Sequence, residues 1–309
     1  MSGNRTQLSA TIGGSVSAGA DFVNQYTFDA MNRMTRVTQA GQTGGHAVRE
    51  KRVDFSYAAD SQWQTITWYQ YQDLAGTKLV AAGAYGYDQA GRLQGLTYTQ
   101  NATTLAGFTW SYDTVNRVTS VTSTLYPAES ATYAYDDAGQ LTGADYGAGA
   151  GLPTAPPDEY YVYDANGNRS SYTTAVDNRL QSDGVYNYTY DNEGNRTGRT
   201  KIADGSYTDY AWDYRNRLTS VTDKTAAGAI TRQTLYTYDV FDRRVAKQVD
   251  WDGSGPQAPR KEYFIYDGQD IALSFVDPDG PGVQAPSLQH RYLHGPAVDQ
   301  ILAGEVAHR

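Results

Sequence analysis

Apolar and polar residues alternate along this chain in short runs, and the runs come in pairs. In Tyr188-Thr189-Tyr190 the two rings are two residues apart, so an extended backbone puts both on one face and the threonine on the other. Asp191 follows, a residue whose short carboxylate bonds a backbone amide two positions on and starts a turn. Extended character then returns, most clearly in RVTSVT at 117–122 and RLTSVT at 217–222, both rich in β-branched residues. The pattern predicts strand, tight turn, strand. Under strict alternation Val118 and Val121 fall on opposite faces, so neither face reads as purely core or purely solvent.

This unit recurs about ten times, with the position of Asp191 taken in turn by Asp29, Ala58, Asp88, Asp113, Asp136, Asp164, Asp191, Asp213, Asp239 and Asp267. A period of 22 to 30 residues is the mark of an array. Three residues after each anchor stand Asn32, Ser61, Gly91, Asn116, Gly139, Gly167, Gly194, Asn216, Asp242 and Asp270. All but the serine belong to the types that best tolerate positive φ, as a short hairpin turn requires. The candidate structural residues are therefore the aromatic-Asp pair and its turn residue. In the more regular copies they are Tyr112, Asp113 and Asn116; Tyr135, Asp136 and Gly139; Tyr163, Asp164 and Gly167; Tyr190, Asp191 and Gly194; Trp212, Asp213 and Asn216; and Tyr238, Asp239 and Asp242.

Residues 1–20 are small and polar and read as a poorly ordered lead-in; residues 21–309 read as one continuous ribbon of antiparallel β-hairpins. The stretch 147–157, GAGAGLPTAPP, is read as a long hairpin connection because the repeat resumes directly after it. The segment 288–309 departs from the pattern, with His294-Gly295-Pro296 in place of the Asp turn. Ten copies imply roughly twenty strands in an all-β, single-layer sheet on the order of 100 Å long, whose open edges predict self-association.

Composition supports hairpins over helices. Of 34 acidic residues 28 are Asp, a turn former, whereas the helix formers Glu and Lys number six each. A net charge of −9 without a basic block argues against nucleic acid, and 27 tyrosines argue against disorder. There is no cysteine, no signal peptide in this chain and no apolar run of membrane-spanning length.

Nothing in the sequence calls for a cofactor, a metal or an enzymatic role. His290 and His294 have ligand spacing on a helix, but their surroundings read as strand. The stretch 250–255, DWDGSG, resembles the start of a calcium loop but lacks the bidentate glutamate, and reads as a hairpin tip. The recurring aspartates suggest turn capping rather than a pair of catalytic carboxylates. The tyrosine rows suggest cross-strand packing, with stacking on sugars as the alternative.

The tyrosine-aspartate pair, the Gly or Asn three residues on and the Arg-Leu-Thr run together resemble the RHS/YD-repeat (rearrangement hotspot) family of the bacterial polymorphic-toxin type. The resemblance implies a curved, spiralling sheet forming part of a hollow shell, here a fragment of the repeat region upstream of the conserved core. It implies a structural segment that encapsulates and shields a C-terminal toxin cargo for delivery against bacteria or a host. The implied partners are that cargo and the remaining shell and cap segments beyond residue 309, and the implied location is secreted or on the bacterial cell surface. The alternative is an extracellular adhesion module that binds a cell-surface glycan through exposed tyrosines.

Overall fold

The computed structural model describes residues 4–10, 22–41, 48, 50–70, 78–126, 129–147, 156–175, 177–280, 282–297 and 300–306. The predicted hairpins form ladders in all copies but the one anchored on Asp164, and the described residues contain 24 strands in two antiparallel sheets of 12.

The first sheet begins with β1 (Gln7–Ala10), β2 (Phe22–Phe28), β3 (Met34–Gly41) and β4 (Lys51–Tyr57). It continues through β5 (Trp63–Gln70), β6 (Leu79–Tyr87), β7 (Leu93–Gln100) and β8 (Thr103–Tyr112). It ends with β9 (Val118–Ser123), β10 (Ala131–Tyr135), β11 (Leu141–Tyr146) and β12 (Glu159–Tyr160). The second sheet opens with β13 (Thr173–Thr174), β14 (Leu180–Ser182), β15 (Tyr186–Tyr190) and β16 (Arg196–Lys201). Next come β17 (Tyr207–Trp212), β18 (Leu218–Lys224), β19 (Ile230–Tyr238) and β20 (Arg244–Asp250). The last four are β21 (Arg260–Asp267), β22 (Asp270–Asp277), β23 (Ser287–His294) and β24 (Ile301–Val306). In both sheets each strand pairs with its neighbours in sequence.

The hydrogen bonding divides where the sequence suggests a single array. Units Met1–Tyr161 and Val162–Arg309 are each compact. The stretch 147–157 does join two paired strands, since β11 bonds to β12, although residues 148–155 lie outside the described residues. The division comes just afterwards, in the copy anchored on Asp164, whose arms pair only through the bridge between Tyr163 and Arg169. Its polar arms, with RSSYTT after the turn, offer little apolar surface for a longer ladder. β1 lies within the stretch read as a lead-in and pairs with β2; residues 11–20 are outside the described residues. The divergent 288–309 segment still forms a hairpin, β23 with β24, closed by Gly295 N–H donating to Gln300 O at 2.9 Å.

The register corrects the expected two-sidedness. A β-bulge falls beside the last aromatic before the turn in hairpin after hairpin, for example between Ser111 and Tyr112 and between Ala211 and Trp212. Tyr112 therefore faces Val118, while Trp110 faces Val121, so both valines share the aromatic face. The extra residue of the bulge moves Val121 across, which strict alternation could not anticipate. In the first sheet this face holds a core of Phe22, Val37, Val53, Phe55 and Ile66.

Candidate functional site

The repeated feature is the turn itself. In the copy anchored on Asp113 the backbone closes twice: Asp113 N–H donates to Arg117 O at 3.0 Å, and Asn116 N–H donates to Asp113 O at 3.2 Å. The carboxylate fills the interior. Its Oδ1 accepts from the amides of Val115 at 3.0 Å and Arg117 at 2.9 Å, and its Oδ2 accepts from Arg117 Nε at 2.6 Å. Asn116 takes φ 70°, the left-handed conformation that closes so tight a loop.

Arg117 then reaches out of its own turn. Its Nη1 donates to Asp136 O, in the next turn, at 3.1 Å, and its guanidinium lies 4.7 Å from the ring centre of Tyr135. Tyr135 in turn donates its hydroxyl to Val118 O at 2.7 Å. Aspartate, turn residue, arginine and the next tyrosine thus form one clamp that ties a hairpin to its successor.

The same clamp recurs in both units. Arg33, Arg92, Arg217 and Arg243 each hold their own aspartate through Nε. Each reaches the next turn, at Ala58 O, Asp113 O, Asp239 O and Gly268 O respectively. The matching tyrosines Tyr57, Tyr112, Tyr238 and Tyr266 donate to Met34 O, Leu93 O, Leu218 O and Arg244 O. Tyr190 donates to Leu180 O, and Trp212 substitutes its indole Nε1–H, donating to Arg196 O at 2.8 Å. In three copies without arginine the position is still a donor to its own aspartate: Gln140 bonds Asp136, and Asn168 and Asn195 bond Asp164 and Asp191.

Charge follows geometry. The Arg33 amide and then its guanidinium hold the Asp29 carboxyl below its ordinary value; the Arg217 guanidinium and the Arg217 and Arg215 amides do the same for Asp213. At Asp113, Asp191 and Asp239 burial pushes upward but is outweighed by the side-chain and backbone donors of the turn. Such groups stay ionised near neutrality and so lack the raised pKa that suits a carboxyl to proton transfer at that pH. Burial pushes the Tyr57 hydroxyl up to about 12, in keeping with a phenol that stays protonated to donate.

The other sequence candidates resolve into local structure. His290 Nδ1 lies 3.1 Å from Ser274 Oγ, and His294 Nε2 lies 2.8 Å from Ile271 O. Asp250 Oδ1 accepts from the amides of Asp252 and Gly253 in a hairpin tip.

Of the predicted turn residues, Asn116, Gly139, Gly167, Gly194, Asn216 and Asp242 all take positive φ, as do Asn32, Ser61 and Gly91. Asp270 does not. Asp267 and Asp270 pair directly around a two-residue loop, and Gly268 carries the positive φ of 63°. Two features escaped the sequence reading. One is the fifth turn position, whose signal was its restriction to Arg, Gln or Asn in nine copies. The other is an eleventh turn at 175–179, with Asn178 at φ 60° and Arg179 Nη1 donating to Asp191 O. Its signal was Asn-Arg-Leu, shared with residues 216–218, masked because Ala175 stands in the aspartate position.

The model of the teneurin YD-shell family matches residues 65–257. Among solved structures the chain is similar to TcdB2-TccC3, at 13% identity and a TM-score of 0.45 over 94% of this chain and 18% of that one. It is similar to TcdB2-TccC3-Cdc42 at 14% identity and a TM-score of 0.42, covering 94% and 17%. The Photorhabdus luminescens Tc holotoxin pore gives 12% identity and a TM-score of 0.41, covering 93% and 17%. The chain thus spans less than a fifth of the length of each of these chains. No curated protein matches its sequence.

Proposed function

The chain belongs to the teneurin YD-shell family, a match spanning residues 65–257, and from that premise we propose that it is a segment of a β-walled enclosure around a toxin cargo. The observation that carries the proposal is the clamp. The turn side chains are engaged in joining each hairpin to the next, as Arg117 joins the turn of Asp113 to that of Asp136. A wall has that requirement, because its function depends on continuity rather than on one exceptional copy. The mechanism is steric: the wall keeps a C-terminal cargo from the producing cell and from proteases until delivery outside that cell. Further wall and cap segments complete the enclosure, and the isolated chain self-associates through its outermost strands.

The experiment is protease protection. The native reading frame, with whatever follows Arg309, is treated with protease beside the same downstream segment expressed alone. The enclosed segment should survive at least tenfold longer, and Arg117→Ala combined with Arg217→Ala should shorten that survival. Equal digestion of enclosed and free segments would overturn the proposal.

A second reading, adhesion to a cell-surface glycan, draws on Tyr214 and Tyr160, which are 92% and 73% exposed. It predicts glycan-array binding that Tyr214→Ala abolishes, and protease protection unchanged by the clamp variants.

A further inference from the structure

Arginine has two distinct settings in the second unit. At the turn rim Arg217 and Arg243 are each paired with their own aspartate. On the aromatic face of the sheet stand Arg196, Arg199, Arg232 and Arg244, none of which forms an ion pair among the described residues. Register places them together: Arg199 faces Tyr188 and Thr208, Thr208 faces Asp223, Asp223 faces Arg232, and Arg244 faces Tyr238. They reach from β16 to β20, four strand spacings or about 19 Å.

Each lies over a ring. Arg196 is 4.7 Å from the centre of Tyr188, Arg199 4.9 Å from Tyr186 and Arg232 4.2 Å from Trp251; Arg244 is 5.4 Å from Phe264. The Nε atoms of Arg196 and Arg232 are buried against their surroundings without a hydrogen-bond acceptor. Arg199 Nε donates to Thr208 Oγ1 at 3.3 Å, so stacking holds these guanidinium groups flat and leaves their terminal nitrogens for a planar acceptor such as a carboxylate. In a chain of net charge −9, four stacked arginines that outnumber the carboxylates Asp223 and Glu262 on their face are a local reversal of sign.

We infer that this face docks an acidic, extended polypeptide segment through its Asp and Glu side chains. Three observations favour that occupant. The rings are covered by guanidinium groups, which removes the free π-faces that a sugar or a nucleobase would stack on. Asp223 and Glu262 share the face, and their charge opposes a polymer carrying an anion on every unit, whereas spaced carboxylates can pair with the arginines and avoid them. The strands concerned are central in their sheet, so their backbone groups are already paired and the occupant binds by side chains rather than as an added strand. The inference rests on the enclosure reading only for where the segment comes from.

The test uses the 309-residue chain and a fluorescein-labelled 20-residue peptide of alternating glutamate and serine, whose carboxylates are spaced, with anisotropy read at low ionic strength. The wild type should bind, and binding should weaken as salt rises. The variant R196Q/R199Q/R232Q/R244Q should bind at least about tenfold more weakly, from four partly exposed pairs. Arg215→Gln, at the rim, should leave affinity unchanged. If the glutamine variant fails to fold, four Arg→Lys changes keep the charge and remove the planar fork, and should weaken binding about threefold. No binding by the wild type, equal affinity in the folded glutamine or lysine variant, or tighter binding of single-stranded RNA or heparin would overturn the inference. Peptide binding is read on the chain alone and enclosure by protease protection, so the two ideas fail separately.

Discussion

In the first unit the aromatic face buries Phe22, Val37, Val53 and Ile66 to 2% exposure or less beside Asn24 and Gln39, whereas in the second the same face buries Thr208, Thr234 and Ser274 with Val249 and carries stacked arginines. The rim is chemically the same in both: Arg92 and Arg217 grip their aspartates and reach the next turn with equivalent atoms. Turn geometry is therefore independent of what the face carries. The difference teaches that the hairpin array is specified at its rim, and that the face is free to take on a core in one unit and a charged surface in the other.

Acid should bring out the largest difference. Asp29, Asp88 and Asp113 in the first unit, and Asp164, Asp191, Asp213 and Asp239 in the second, are held below the ordinary carboxyl value of 3.8 by the donors of their turns. A depressed folded value contributes stability that is present above 3.8 and is lost as pH falls through the depressed value. The first unit adds Asp54 and the second Asp177, Asp183 and Asp204, all also lowered, so the second unit's amides should lose protection first as pH is taken from 5 toward about 2. Hydrogen exchange read by mass spectrometry separates the units. Protection that is flat with pH in both would break the shared-rim account.

Core substitution comes next. Ile66→Ala should cost roughly 2–5 kcal/mol in denaturant unfolding, the range for large-to-small changes in a packed core. Thr234→Ala in the second unit, which deletes one methyl and one hydroxyl, should cost only about 1 kcal/mol, the scale of one buried methyl group. Equal losses at the two sites would show that both faces are cores of one kind.

The smallest effect should be the same in both units. Tyr57→Phe and Tyr238→Phe each remove one hydroxyl that donates to a carbonyl of the preceding hairpin, at 2.7 and 2.8 Å, and each should cost about 1 kcal/mol. A loss confined to one unit would mean that the clamp matters only beside a particular face.

The pattern of legibility follows from range. The turn residues were readable because their constraint is local: positive φ at Asn116 or Gly194 admits few residue types whatever lies around it. The hairpins were readable from tyrosines two apart. The bulge at Tyr112 was not, because it depends on how the turn closes rather than on the residues of the strand. Arg117 was missed because its task lies one repeat away, at Asp136 O and the ring of Tyr135, and nothing in its immediate neighbours shows this. The eleventh turn, at Asn178, was hidden by arms of two and three residues that leave no alternation to detect. The place where the hydrogen bonding divides lay beyond a loop that looked more like a boundary than the bridge at Tyr163 did.

Within each sheet every strand pairs only with the strands before and after it in sequence. No pairing must wait for a distant part of the chain, so loop closure stays short and its entropic cost small at every step. Such a chain can start folding at any hairpin and extend by adding the next. During synthesis the sheet can grow at the pace of translation, with each newly emerged hairpin finding its partner already in place.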